Sequence, residues 1–97
     1  MNLQQKHHIQ IECEALSIAY ARYVDFSDYD EFTELFAEIC ILDLGKPLEG
    51  KAAIRAAMKQ RSPKLRSRHV MTNIAINVID EATATGISYL TLYRHVG

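Results

Sequence analysis

The chain lacks an excess of either charge: eleven Lys and Arg against twelve Asp and Glu leave a formal net charge of -1. Such a balance carries no global positive field of the kind that draws nucleic acid or an anionic membrane. Nor do aromatic residues interleave with basic ones as a single-stranded nucleic-acid groove requires. Cysteine is scarce, and Cys13 and Cys40 share neither a C-x-x-C nor a zinc-finger spacing; they read as two reduced, half-buried thiols of a cytosolic protein. The opening MNLQQKHHIQIECEAL holds no apolar run of signal-peptide or membrane-spanning length, so a cytoplasmic location is expected. No Gly-rich phosphate loop, internal repeat or nucleophile elbow occurs. His7-His8 does not read as a metal site, because adjacent helical positions point about 100° apart and cannot grip one ion from one face.

What is present is ordinary for one globular domain, here residues 1–97: apolar residues make up 48% of the chain and charged residues 24%. A disordered tail, a collagenous repeat and a low-complexity linker are excluded. Ile9, Cys13, Leu16, Tyr20 and Tyr23 recur at helical spacing, which predicts an amphipathic helix capped by Asn2 with Gln5 and ending near Asp25-Phe26. Ser27 is the next expected N-cap, opening a second helix with Tyr29, Phe32, Phe36 and Ile39 on one face. Ile39 to Leu44 reads as a strand closed by the turn Gly45-Lys46-Pro47. A third helix runs from Lys51 to about Gln60 and faces the core with Ile54 and Met58. The order ααβαββ, ending in a long hairpin, predicts an α+β fold with helices packed on one face of an antiparallel sheet.

Arg68 to Ile79 and Ala82 to Val96 form that hairpin around Asp80-Glu81. A two-residue turn sets His69 opposite Leu92, Met71 opposite Leu90 and Asn73 opposite Ser88. Strict alternation then puts His69, Met71, Asn73, Ser88 and Leu90 on one mixed face, suited to a cavity under the helices. Val70, Thr72, Ile74, Ile76 and Val78, with Ile87 and Tyr89, fall on the other face, too apolar to stand in water and suited to a second protein surface. The basic run Lys59, Arg61, Lys64, Arg66 and Arg68 either meets an anionic substrate or, the blander reading, forms a solvated loop.

Six segments then stand in order: Tyr20-x4-Asp25-x2-Asp28-Tyr29-Asp30, Leu35-Phe36-Ala37-Glu38, Leu42-Asp43-Leu44-Gly45, Leu48-Glu49-Gly50-Lys51-x2-Ile54, Arg68-His69-x2-Thr72-Asn73 and Ala84-Thr85-Gly86-x2-Tyr89-Leu90. Together they resemble a SnoaL-like domain of the nuclear-transport-factor-2-like superfamily, a cone-shaped α+β fold, from about Ile9 to Tyr93. In relatives such as scytalone dehydratase, steroid isomerases and polyketide cyclases, helices and a curved sheet enclose an apolar pocket for acid/base work. The resemblance implies that Asp25 and His69 are the catalytic carboxylate and imidazole, with Tyr20 and Asn73 as neighbours in the pocket. The second histidine of the dehydratase pocket falls at Ser88. From the residues alone, Asp25 equally closes the first helix, His69 equally serves as a wall residue, and Tyr20 equally packs in the core. Relatives continue past Tyr93-Arg94-His95 into at least one further long strand, so the last strand or strands of the family's sheet are expected to be missing.

The resemblance implies a pocket for a small apolar molecule and, for an enzyme, proton transfer on a carbonyl compound (isomerase, cyclase or dehydratase) with no metal or organic cofactor. A noncatalytic binder using the same cavity, and an assembly protein whose sheet a partner completes, are the alternatives. A homodimer through the β-branched face is expected from both the apolar row and the family's habit of pairing through its sheet.

Overall fold

Asn2 starts the first helix by a reciprocal cap. Its side chain accepts from the Gln5 N–H at 2.8 Å, while the Gln5 side chain accepts from the Asn2 N–H at 2.9 Å. The computed structural model describes residues 1–97, and α1 spans Leu3–Asp25. Its fully buried positions are Ala21 and Val24, next to Tyr20 and Tyr23 on the expected stripe. Ser27 does not cap the next helix. It takes a left-handed conformation, φ 60°, which turns the chain sharply, so Asp28 becomes the N-cap of α2, Tyr29–Glu34. That helix stops short of the expected face: Leu35 and Phe36 still pack on the core, but Ile39 lies beyond the helix and is 97% exposed.

The predicted strand is β1, Ile41–Asp43, and it returns through a tight turn as a short β2, Pro47–Glu49, with Leu42 opposite Leu48. Asp43 shapes the turn by accepting from the Gly45 N–H at 2.9 Å, and Gly45 sits at φ 103°, a conformation that favours glycine. α3, Lys51–Lys59, buries Ile54 and Met58 as expected. Val24, Phe32, Ile54 and Met58 form the core. Tyr20, Phe32 and Phe36 stack edge to face beside it, at 4.9 and 5.3 Å between ring centres. The core therefore sits at one end, where the last turns of α1 meet α2, α3 and the small hairpin.

β3, Leu65–Val78, and β4, Ala84–Val96, pair antiparallel along α1. The α+β class and the order of helices and strands agree with the sequence reading, the added β2 being part of the first turn. The register differs in its middle. The turn is a five-residue loop in which the Ile79 and Asp80 N–H groups both donate to the Thr83 carbonyl, so Val78 pairs with Ala84. A β-bulge then shifts the register back: Thr72 pairs with Tyr89 and Ala75 with Ile87, leaving Asn73 and Ile74 opposite the single Ser88. Asn73 supplies the left-handed residue, φ 53°, that such a bulge accepts from asparagine. His69 and Met71 consequently keep their expected partners, Leu92 and Leu90, but Asn73 does not face Ser88 as a regular pair.

The bulge also reverses parity along β3. Ser67, His69 and Met71 turn toward α1 before it, and Ile74, Ile76 and Val78 do so after it; Ile76 lines a recess with Cys13 and Ser17. The expected outward row is thus broken. Only Val70 and Thr72 of its five β3 members remain outside, joined by Ala75 and Asn77 and, across the ladder, by Ile87 and Tyr89. No helix of the chain is long and apolar enough to cross a membrane.

Candidate active site

Asp25 is the last residue of α1, and β3 carries Ser67 and His69 past it on the inner face of the long hairpin. The carboxylate is almost enclosed, its side chain 7% exposed against 11% for His69. One oxygen, Oδ1, accepts from the Ser67 hydroxyl at 2.9 Å and meets His69 Nδ1 at 2.5 Å; the other, Oδ2, accepts from the His69 backbone N–H at 2.8 Å. Burial alone pushes the Asp25 carboxyl up. The His69 side-chain and backbone bonds, the Ser67 hydroxyl and the charge of His69 outweigh it and hold the carboxyl below its ordinary range. An ionised carboxylate only accepts, so Nδ1 of His69 must be the donor. In the neutral ring this leaves Nε2 bare, a proton acceptor with no partner in the chain.

Arg61 braces the group from behind. Its guanidinium donates to the Val24 carbonyl at 3.3 Å and to the Ser67 hydroxyl at 3.4 Å, tying the end of α1 to β3. Ser67 is fully enclosed at 3% exposure. Sequence reasoning missed both residues. Ser67 was recoverable, since it lies two places before His69 and shares its inward parity. Arg61 was not, being one of five basic residues in a run.

Asp25 and His69 line an open cleft of ≈ 220 Å³ with Arg22, walled by Ile18, Ala21, Phe26 and Met71. Met71 also borders a second cleft, of ≈ 290 Å³, in which Tyr20 stands with Leu16 and Phe36. Burial raises the Tyr20 hydroxyl pKa, against a smaller lowering by the Arg61 charge. The structure therefore gathers Asp25, His69 and Met71, and sets Tyr20 on the far side of Met71. The other expected pocket residues lie elsewhere. Asn73 is exposed at the bulge, Ser88 lines the recess with Ile76, and Leu90 is half exposed on β4. His7 and His8 border a groove at the start of α1, and no three His, Cys, Asp or Glu side chains come together there or elsewhere in a metal-binding group.

A family model, the SnoaL-like domain, matches residues 9–97. The chain belongs to this family. A crystal structure of a putative scytalone dehydratase from Novosphingobium aromaticivorans superimposes on this SnoaL-like chain with a TM-score of 0.90 at 18% identity, covering 98% of this chain and 66% of that one. ActVI-ORFA from Streptomyces coelicolor gives 0.74 at 16% identity, over 92% and 71% of the two chains. A protein from Catenulispora acidiphila gives 0.76 at 17%, over 95% and 74%. The SnoaL-like chain thus spans just under two thirds of the length of the first of these. Likeness at such identities establishes the fold alone, the α+β arrangement of helices on an antiparallel hairpin. Comparison with curated protein sequences returns no significant match.

Proposed function

We propose that this SnoaL-like domain binds a small carbonyl compound in the cleft beside Asp25 and His69 and moves a proton on it. The observation that carries the reading is the orientation of His69: a buried carboxylate holds Nδ1 and leaves Nε2 unpartnered at a cleft with an apolar wall. Nε2 is then the group that takes a proton from carbon next to the carbonyl and returns it to another position. Asp25 acts through the ring, fixing its tautomer and stabilising the imidazolium formed in the reaction. The reading assigns an isomerase, cyclase or dehydratase step that runs on these two side chains. The scytalone dehydratase likeness supports this class without specifying the substrate.

Exchange of the α-protons of 2-tetralone in D2O, followed by proton NMR, tests it. The wild-type protein should accelerate exchange, and His69→Ala should lose about 10²–10⁴-fold of that acceleration. Binding of the ketone without accelerated exchange would leave a noncatalytic binder and sink the enzyme reading. We further infer that two chains associate through the outer face of β3 and β4, now centred on Val70, Ile87 and Tyr89. Ile87 and Tyr89 are 71% and 63% exposed in the single chain, which supports a covered face.

A further inference from the structure

We propose that the natural occupant of the dyad cleft is a monocarboxylate on a compact apolar body, with its carboxylate held by Arg22. The inference rests on the reading that this cleft binds a small molecule, and it names the ligand's charge. Arg22 lines the cleft yet makes no ion pair and no side-chain hydrogen bond. The cations of α3 behave otherwise: Lys51, Arg55 and Lys59 are matched to Glu34, Glu38 and Asp30.

Two more arginines stand around the same end of the hairpin. Arg68 stacks over Phe26, a wall of the cleft, at 4.8 Å from the ring centre. Arg94 is the cross-strand partner of Ser67 and so shares the inner sheet face with Ser67 and His69. Neither forms an ion pair. Asp25 is the carboxylate of this cleft, its oxygens hydrogen-bonded to Ser67 and His69; its single negative charge offsets one of the three arginines and leaves the surroundings net positive.

A net positive rim around an apolar wall selects an anion whose body is apolar. A guanidinium reads a carboxylate through two parallel N–H bonds, which favours that planar anion over a neutral polar group. With the acid end on Arg22, the body packs on Ile18, Ala21 and Met71, and the small volume of the cleft limits it to about the size of a fused bicycle.

Calorimetric titration with 2-naphthoate and with 2-naphthamide, equal in shape and different in charge, tests this. Naphthoate should bind at least about tenfold more tightly than the amide. That preference should shrink on raising the salt concentration. It should also collapse in Arg22→Gln, an exposed helical position where glutamine keeps the fold, as far-UV circular dichroism would show. Arg68→Gln should reduce it partially. Equal affinity for the two probes, or a preference untouched by Arg22→Gln, overturns the proposal and leaves the cleft reading standing. Failure of both probes to bind overturns the two together.

Discussion

Asp25 keeps its hydrogen bonds only as a carboxylate, and this makes the site acid-sensitive. Its folded pKa lies below the unfolded value, so the unfolded chain binds the proton more readily. The stabilisation is therefore complete above the ordinary carboxylate pKa of about 4 and drains away as pH falls through the lower folded value. Thermal melting followed at pH 7, 5 and 3 should show a steep loss of stability at the acid end. Asp25→Asn should lower stability at pH 7 and flatten that acid slope; an unchanged slope would contradict the geometry. Ser67→Ala should cost about 1–2 kcal/mol by leaving buried partners short of a hydroxyl. At this scale the sequence was legible where chemistry is distinctive. Asp25 and His69 stood in the family's pattern, and Ser67 could be inferred by parity. Arg61 was silent because one arginine in a basic run looks like the next.

Among the elements, the long hairpin decides where everything else points. A stretch reading Val70-Met71-Thr72-Asn73-Ile74-Ala75-Ile76 is apolar on both parities, so alternation alone had no way to register a slip. The five-residue turn shifts the ladder one way and the bulge shifts it back, which is why His69 and Met71 were placed with their true partners and Asn73 was not. The bulge depends on Asn73 at φ 53°, where a β-branched residue is strained. Asn73→Val should therefore lose about 1–2 kcal/mol, measured as a lower urea midpoint, while Asn73→Gly should lose little. Equal loss in both would mean that the side chain, not the backbone, matters there. The helices were easier to read. Capping by Asn2 and Gln5 and burial of Ile54 and Met58 follow local rules, and Ser27 is spent instead on ending α1, where it sits left-handed while its N–H donates to the Val24 carbonyl and that of Asp28 to the Tyr23 carbonyl.

Taken whole, the molecule shows more surface than its mass accounts for. A folded monomer of this size exposes about 5,600 Å², whereas the chain exposes 7055 Å². Its radius of gyration, 14.7 Å, likewise exceeds the roughly 12.5 Å of a compact domain. Part of the surplus lies along β4, eleven of whose thirteen residues are exposed and which pairs only with β3. An unpaired strand edge with apolar side chains on both faces invites association. The chain should be dimeric at micromolar concentration by multi-angle light scattering. Ile87→Glu should yield a folded monomer. Ile76→Glu should unfold the chain instead, because Ile76 faces Cys13 and Ser17 of α1. A wild-type monomer, or equal behaviour of the two variants, would contradict this assignment of faces.

The central claim is that Asp25 holds His69 with Nδ1 as donor and Nε2 free toward a bound carbonyl compound. Nitrogen-15 NMR of the histidine rings, with 2-tetralone added stepwise, tests it most directly. The neutral His69 ring should carry its proton on Nδ1, its Nε2 resonance should shift as ketone binds, and Asp25→Asn should disturb the tautomer. A wild-type ring protonated on Nε2, or an Nε2 signal indifferent to ligand, would contradict it.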